Sequence, residues 1–299
     1  MSDIAATLRQ PAKGRSLWDD ARRRLMRNPA AVVGFVLLLL FTLLGIVGML
    51  NYTFPGLFGL HPVDMLYRDK VSLAPTAEHM FGTDTEGRDL FSRVLFGLGI
   101  SLAVGFVATA VSLFIGVVWG ATAGYIGGGV DAFMMRIVDV LYSVPFIFFV
   151  ILLMVVFGAN IWLIFIAIGA VEWLTMSRIV RGQTISLRQK EFVEAAKAGG
   201  ASGPAIVFGH IVPNLMGPVV VFATLNVARV ILLESFLSFL GLGVQEPLTS
   251  LGKLIADGAN NMDTAPWMIV WSAATMFIAL LCFNFVGDGL RDALDPKDR

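Results

Sequence analysis

The chain has 299 residues, of which 57% are hydrophobic and 15% charged, and a mean hydropathy of +0.78. That balance excludes an ordinary water-soluble domain and places the core inside a bilayer. Basic and acidic residues cancel at 22 each, so nothing favours nucleic acid, and the one cysteine, Cys282, can form no internal disulfide.

Residues 1–29 form a polar tail with Arg9, Lys13, Arg15, Arg22, Arg23, Arg24 and Arg27. Ser16 followed by Asp19 reads as a capping box. Leu17, Trp18, Ala21 and Leu25 then share one helix face, opposite Asp19, Asp20 and Arg23, as in a helix lying on a membrane surface. Residues 1–14 read as a solvated tail. Residues 30–50 follow as the first span, since 21 residues at 1.5 Å each cover about 31 Å. The segment is too long for a signal peptide and has no small-residue cleavage site, so it is expected to be retained. Residues 51–97 are the longest polar segment, with Pro55, Pro62, Pro75 and an F-G-T-D-T-E-G-R-D run at 81–89. His61, His79, Asp64 and Asp84 invite a metal reading, but no His pair has ligand spacing in sequence. The segment is therefore read as a solvated loop that enters a helix near Leu90.

The second span, about 99–123, repeats Ala108, Ser112, Gly116, Gly120 and Gly124 every four residues, a stripe that lets a neighbouring helix approach closely. The glycine-rich turn at 124–129 is not followed by Gly-Lys-Ser/Thr, and no such triplet occurs in the chain, so any ATP must be handled by another polypeptide. The third span, about 133–157, has Arg136 and Asp139 at i,i+3 and a kink expected at Pro145. A Gly158, Ala159, Asn160 turn leads to the fourth, about 161–176, which contains Glu172.

Between the fourth and fifth spans lies E-F-V-E-A-A-K-A-G-G-A-S-G-P-A-I-V-F-G-H-I-V-P-N at 191–214. Glu191 to Lys197 are helical in composition, and Gly199 and Gly200 end that helix because glycine accepts left-handed dihedrals. Ser202, Gly203 and Pro204 restart a second helix, apolar at Ile206, Val207, Phe208, Ile211 and Val212, and Pro213 reads as a break before the next span. The product is a helix–turn–helix knuckle outside the bilayer, suited to pushing against a partner. The fifth span, about 215–240, carries Asn226, Arg229, Glu234 and Ser238 within one half of the helix, expected to meet a water-filled pathway or a neighbouring subunit. A second polar loop, 241–265, precedes the sixth span, about 267–286, and a charged tail at 288–299. Residues 98–287 thus make a five-helix core that includes the knuckle loop, 188–214.

Six spans put both termini on one side. With that side cytoplasmic, sixteen basic residues lie inside: seven in the N-terminal tail, then Arg136, Arg178, Arg181, Arg188, Lys190, Lys197, Arg291, Lys297 and Arg299. Five lie outside, namely Arg68, Lys70, Arg88, Arg93 and Lys253, and Arg229 falls within a span. This asymmetry orients membrane proteins and places the knuckle in the cytoplasm.

Glu194, Ala195 and Ala196, with Gly200 and Pro213 at the motif spacing, resemble the EAA loop of permease subunits of bacterial ATP-driven importers. His210 and Val212 stand where that pattern has Ile and Leu. The F-G-T-D-x-x-G-R-D run is similar to the peptide-transport branch of the same family. The surface helix from Arg15 and the tail from Phe283 to Arg299 resemble its oligopeptide members, the tail being shared with dipeptide and nickel relatives. The resemblance implies an all-α integral membrane protein, a six-helix type I ABC importer permease (MetI-like) bundle in a bacterial inner membrane. It further implies a homologous B-type permease, two ABC ATPase subunits carrying ATP and Mg, a periplasmic oligopeptide-binding protein and a peptide substrate. The chain itself would bind no cofactor and catalyse nothing. Dipeptide, glutathione or nickel transport remain alternatives within the family. A secondary transporter would instead use Asp139, Glu172 or Glu234 as ion sites, and a membrane enzyme would need a nucleophile–base or metal constellation that the sequence does not display.

Overall fold

The computed structural model describes residues 17–158 and 160–294. The Ser16 cap, the tail ahead of it, Ala159, the side chains of residues 17–20, 161 and 162 and the last five residues lie outside the described residues. The described part is helical, and its one β pairing is an isolated bridge between Thr83 and Asp89. In chain order the helices are α1 Leu17–Arg27, α2 Pro29–Thr53, α3 Leu90–Ile126, α4 Gly128–Ser143, α5 Phe146–Phe157 and α6 Ile161–Leu187. There follow α7 Glu191–Ala198, α8 Gly203–Ile206, α9 Val212–Phe239, α10 Leu251–Asn260 and α11 Pro266–Leu294.

Short polar side chains start α2 and α3. Asn28 accepts from the Ala31 N–H at 3.2 Å with Pro29 in the first turn of α2, and Asp89 accepts from the Ser92 N–H at 2.8 Å at the head of α3. α3 is the central helix, packed against α2, α6, α9, α10 and α11, while α1 lies along α11 and α2. The small-residue stripe of α3 is its seam with α6. A Cβ built on Gly116 would lie 2.6 Å from the Met176 Cβ, and one on Gly120 only 2.3 Å from the Ser177 carbonyl oxygen. On Gly124 it would lie 2.8 Å from the Arg181 carbonyl oxygen. Only residues without bulk allow that approach.

Among the described residues, five helices are long and apolar enough to cross a membrane: Pro29–Thr53, Leu90–Ile126, Leu163–Leu187, Gly203–Phe239 and Pro266–Leu294. The expected third span is not a kinked helix but two helices, α4 and α5, bent by 77°. Pro145 pushes Val144 into an extended conformation (φ −76°, ψ 120°), so the backbone leaves the helix entirely at that point. Counted as one crossing, the pair gives six. Asp139 also pairs elsewhere than expected, accepting from Arg178 at 2.8 Å across α4 and α6, and Asp131 takes both Nε and Nη2 of Arg181 at 2.5 and 2.6 Å.

Two connections differ from the sequence reading. The loop at 241–265 contains α10, whose Leu251, Gly252, Leu254, Ala256 and Gly258 are buried; Ser250 caps it by accepting from the Lys253 N–H at 3.2 Å. Residues 54–89, expected to be solvated, fold into a cap built on a buried ion network. Asp84 accepts from the backbone N–H groups of Glu86 and Arg88 at 2.9 and 2.8 Å and from Arg88 Nε at 2.7 Å. Arg88 Nη1 and Arg93 Nη2 then donate to Glu246 at 2.9 and 3.3 Å, from the loop after α9. Gly82 and Gly87 have φ of +79° and +82°, and a Cβ on Gly87 would sit 2.2 Å from the Tyr67 carbonyl oxygen. Asp84, Arg88 and Arg93 are buried because their charges are neutralised within the network, with Glu246 at its exposed edge, which a charge run in sequence does not reveal. At the rim Lys70 donates to Glu78 at 2.6 Å, and that hydrogen bond holds the Glu78 carboxyl below its ordinary range.

Candidate functional site

The knuckle is α7, a four-residue turn and α8. At the turn Gly200 donates to the Lys197 carbonyl and Ala201 to the Ala196 carbonyl, both at 3.0 Å, the paired bonds of a Schellman cap. Of the two glycines only Gly200 is left-handed, at φ +80°; Gly199 is not, at φ −74°. Pro204 occupies the first turn of α8, where its missing donor is harmless.

One side chain seats α7. Val193 is buried in a cluster with Ile206, Val207, Ile211 and Leu215 from the returning chain and Met176 and Val180 from α6. Arg188 donates to the carbonyls of Gly124 and Tyr125 at 3.2 Å each, tying the base of the knuckle to the end of α3. Lys197 lies over the Tyr125 ring, 5.6 Å from its centre. With its inner face held this way, α7 turns Glu191, Phe192, Glu194 and Ala195 outward, and Ala196 is half-buried. Glu191 and Glu194 in the first turn suit the positive end of the helix dipole.

No break occurs at Pro213. α8 continues through a π turn, Val207–Ile211, into α9, giving one helix from Gly203 to Phe239. The wide turn, in which Val212 donates to the Val207 carbonyl, shifts the hydrogen-bond register just ahead of Pro213 and absorbs its missing donor. Pro213 and His210 are exposed beside Phe208, whereas Val212 is packed against the cluster. Thus the motif position occupied by Val212 makes its apolar contact within the chain, and that of His210 faces outward. Neither exposed aromatic, Phe192 nor Phe208, was singled out in sequence as a contact; their place on an otherwise small-residue knuckle was the available signal.

The four polar residues of the fifth span do not share one surface. Glu234 is wholly buried, accepting from Ser101 of α3 at 3.2 Å and from Ser238 at 2.7 Å. Ser101 in turn accepts from the Leu251 N–H at 3.1 Å, and Ser238 lies 3.4 Å from Ser250, so the carboxylate links α3, α9 and the head of α10. Asn226 is buried and donates to Thr109 at 3.3 Å. Arg229 alone faces out, with 56% of its side chain exposed, and its Nε lies 3.8 Å from the buried Glu172. Ser101 and Ser250 escaped the sequence reading, although Ser250 ahead of Leu251, Leu254 and Ile255 has the form of a helix start.

The geometry is that of a membrane bundle with a seated, outward-facing helical knuckle, and comparison with known proteins agrees with it. The family described as binding-protein-dependent transport system inner membrane component matches residues 113–299, and the N-terminal TM domain of oligopeptide transport permease C matches 16–67. The oligopeptide transport system permease protein OppC of Escherichia coli K12 is 54% identical over 290 residues, covering 96% of this chain and 93% of that protein. Its Haemophilus influenzae counterpart is 51% identical over 289 residues, covering 96% and 91%. The dipeptide transport system permease protein DppC of Bacillus subtilis is 41% identical over 285 residues, covering 95% and 87%. This chain belongs to the binding-protein-dependent transport permeases, the multi-pass membrane components of ABC importers.

Proposed function

We propose that the chain is one of two homologous permease subunits that form an oligopeptide pathway across a bacterial inner membrane, coupled through its knuckle to ATPase subunits. The observation that carries this reading is the seating of α7: fixed by Val193 and Arg188 on one side, it leaves Phe192, Glu194 and Ala195 free for a partner. The partner would be one of two cytoplasmic ATPases holding ATP and Mg, with a periplasmic binding protein delivering peptide on the opposite face. This chain then supplies pathway wall and coupling surface, and no catalytic step. Arg229, the one exposed charge of the fifth-span set, is the residue of that set best placed for the pathway or the second permease.

The test is peptide uptake by proteoliposomes holding the complete complex, with ATP inside and binding protein outside. Ala195→Arg should abolish uptake and binding-protein-stimulated ATP hydrolysis, because it thrusts a long cation into the docking surface. Normal coupling in that variant would exclude α7 as the contact. A relative named for dipeptides is 41% identical, so the same assay should compare unlabelled dipeptides with tetra- and pentapeptides as competitors. Competition by the longer peptides supports the oligopeptide reading; competition by dipeptides alone would reassign the substrate.

A further inference from the structure

The folded cap brings together side chains that lie up to eighteen residues apart in sequence. Ligand atoms of His61, Glu78 and His79 all lie within 4.8 Å of one another, and the two imidazole rings are 4.6 Å apart, centre to centre. His79 is fully buried, and its Nδ1 lies 2.8 Å from Asp89 Oδ1. Its Nε2 is buried with no hydrogen-bond partner among the described residues. An imidazole held by a carboxylate through one nitrogen, with the other unpaired, is the arrangement that prepares a metal ligand.

The other two groups complete the pattern. His61 Nδ1 lies 2.9 Å from the Tyr67 hydroxyl, and its Nε2 lies 3.2 Å from the Glu78 carbonyl oxygen. That contact with a carbonyl oxygen calls for an Nε2–H, so a metal ion would displace it and hold the ring in the tautomer that donates Nδ1–H to Tyr67, with the Nε2 lone pair on the ion. Glu78 gives Oε1 to Lys70 at 2.6 Å, which leaves Oε2 available. We propose that His61, Glu78 and His79 bind a divalent transition-metal ion of the zinc class, with water completing its coordination. Two imidazoles and one carboxylate are a ligand set that zinc accepts, and tetrahedral bonds of about 2 Å require the ligand atoms to close to about 3.3 Å. Glu78, exposed on the rim, can make that movement. The ion would clip the segment leaving α2 to the segment entering α3, outside the membrane spans and far in sequence from the knuckle.

The full chain, purified in detergent with a tag lacking histidine and stripped by chelator, should take up one equivalent of zinc, counted by elemental analysis and titrated against a chromophoric chelator. Zinc should raise its unfolding temperature, because a ligand of the folded state stabilises it. His61→Ala and Glu78→Gln should each weaken binding at least about tenfold, and Tyr67→Phe by a similar or smaller factor. These three leave the buried His79–Asp89 pair in place, and the unfolding temperature of each variant without zinc checks that it folds. His210→Ala, at the only other histidine, should leave zinc affinity unchanged. Absence of binding at micromolar zinc, affinity unaltered in both His61→Ala and Glu78→Gln, or loss of binding in His210→Ala would each overturn the assignment.

Discussion

Glu234 is a buried hydrogen-bonding hub, and its removal leaves the Ser101 and Ser238 hydroxyls without their acceptor in a place water does not reach. Glu234→Ala should therefore cost about 2–4 kcal/mol, read as a lowered unfolding temperature of the purified chain, and Glu234→Gln about half as much because one acceptor oxygen survives. Equal stability of all three proteins would mean that the hub contributes nothing to the fold. Arg229→Ala should behave in the opposite way. Its side chain is more than half exposed and its Nε lies 3.8 Å from the buried Glu172, beyond hydrogen-bond reach, so the pairing should support at most about 1 kcal/mol, and unfolding should barely change while peptide uptake falls. An unfolding shift as large as that of Glu234→Ala would make the pair a part of the fold. The sequence shows that these residues are polar within a span, and it shows their angles on one helix. It does not show which neighbouring helix each meets, so a buried hub and an outward cation read alike.

Gly200 isolates conformation from contact. A Cβ there would meet nothing within 4 Å, so any effect of substitution arises from its φ of +80°. Gly200→Asn should retain most coupled ATP hydrolysis, since asparagine tolerates the left-handed region, whereas Gly200→Val should lose it while the spans still insert. Lys197→Ala, at an exposed position over Tyr125, should be mild. Matching activity in Gly200→Val and Gly200→Asn would show that the knuckle tolerates either backbone. This turn was legible because Gly-Gly after a helical run has a local cause. The continuation through Pro213 was not: proline usually ends a helix, and only the π turn ahead of it, set by packing of Val207 and Ile211, reverses that rule. The break at Pro145 was legible in place but not in size, because its angle depends on what packs beside α4 and α5.

At the scale of the molecule, the basic-residue asymmetry leads us to expect the knuckle and both termini in the cytoplasm. In a Cys282→Ser background, single cysteines at Thr76 and Asn260 should react with a membrane-impermeant thiol reagent in intact cells, and one at Gln189 should not. All three positions are exposed, so labelling reports sidedness and not burial. The inverse pattern would put α7 on the wrong side for any ATPase and remove the coupling proposal. Five of the six expected spans were readable as single helices from hydropathy alone, since length and apolarity are local properties, and the third is the bent pair α4 and α5. The cap was not. Arg88 and its partner Glu246 are 158 residues apart, and no local pattern distinguishes charges that will neutralise one another from charges that will be hydrated.

The meshed backbones of α3 and α6 limit how this protein can change shape. With Gly120 already in contact with the Ser177 carbonyl, there is no clearance for gradual sliding; the next register that matches the four-residue stripe is about 6 Å away. The two helices are therefore geared into a single rigid strut, and shear along their seam is blocked. The helical path is broken instead on either side of α4, at Gly127 and Gly128, with φ of +71° and +58°, and at the extended Val144 ahead of Pro145, while Asp131 and Asp139 tie α4 to α6. We expect a change of shape in this protein to bend at such breaks rather than slide α3 along α6, and to move α4 only where its Arg178 and Arg181 pairs part.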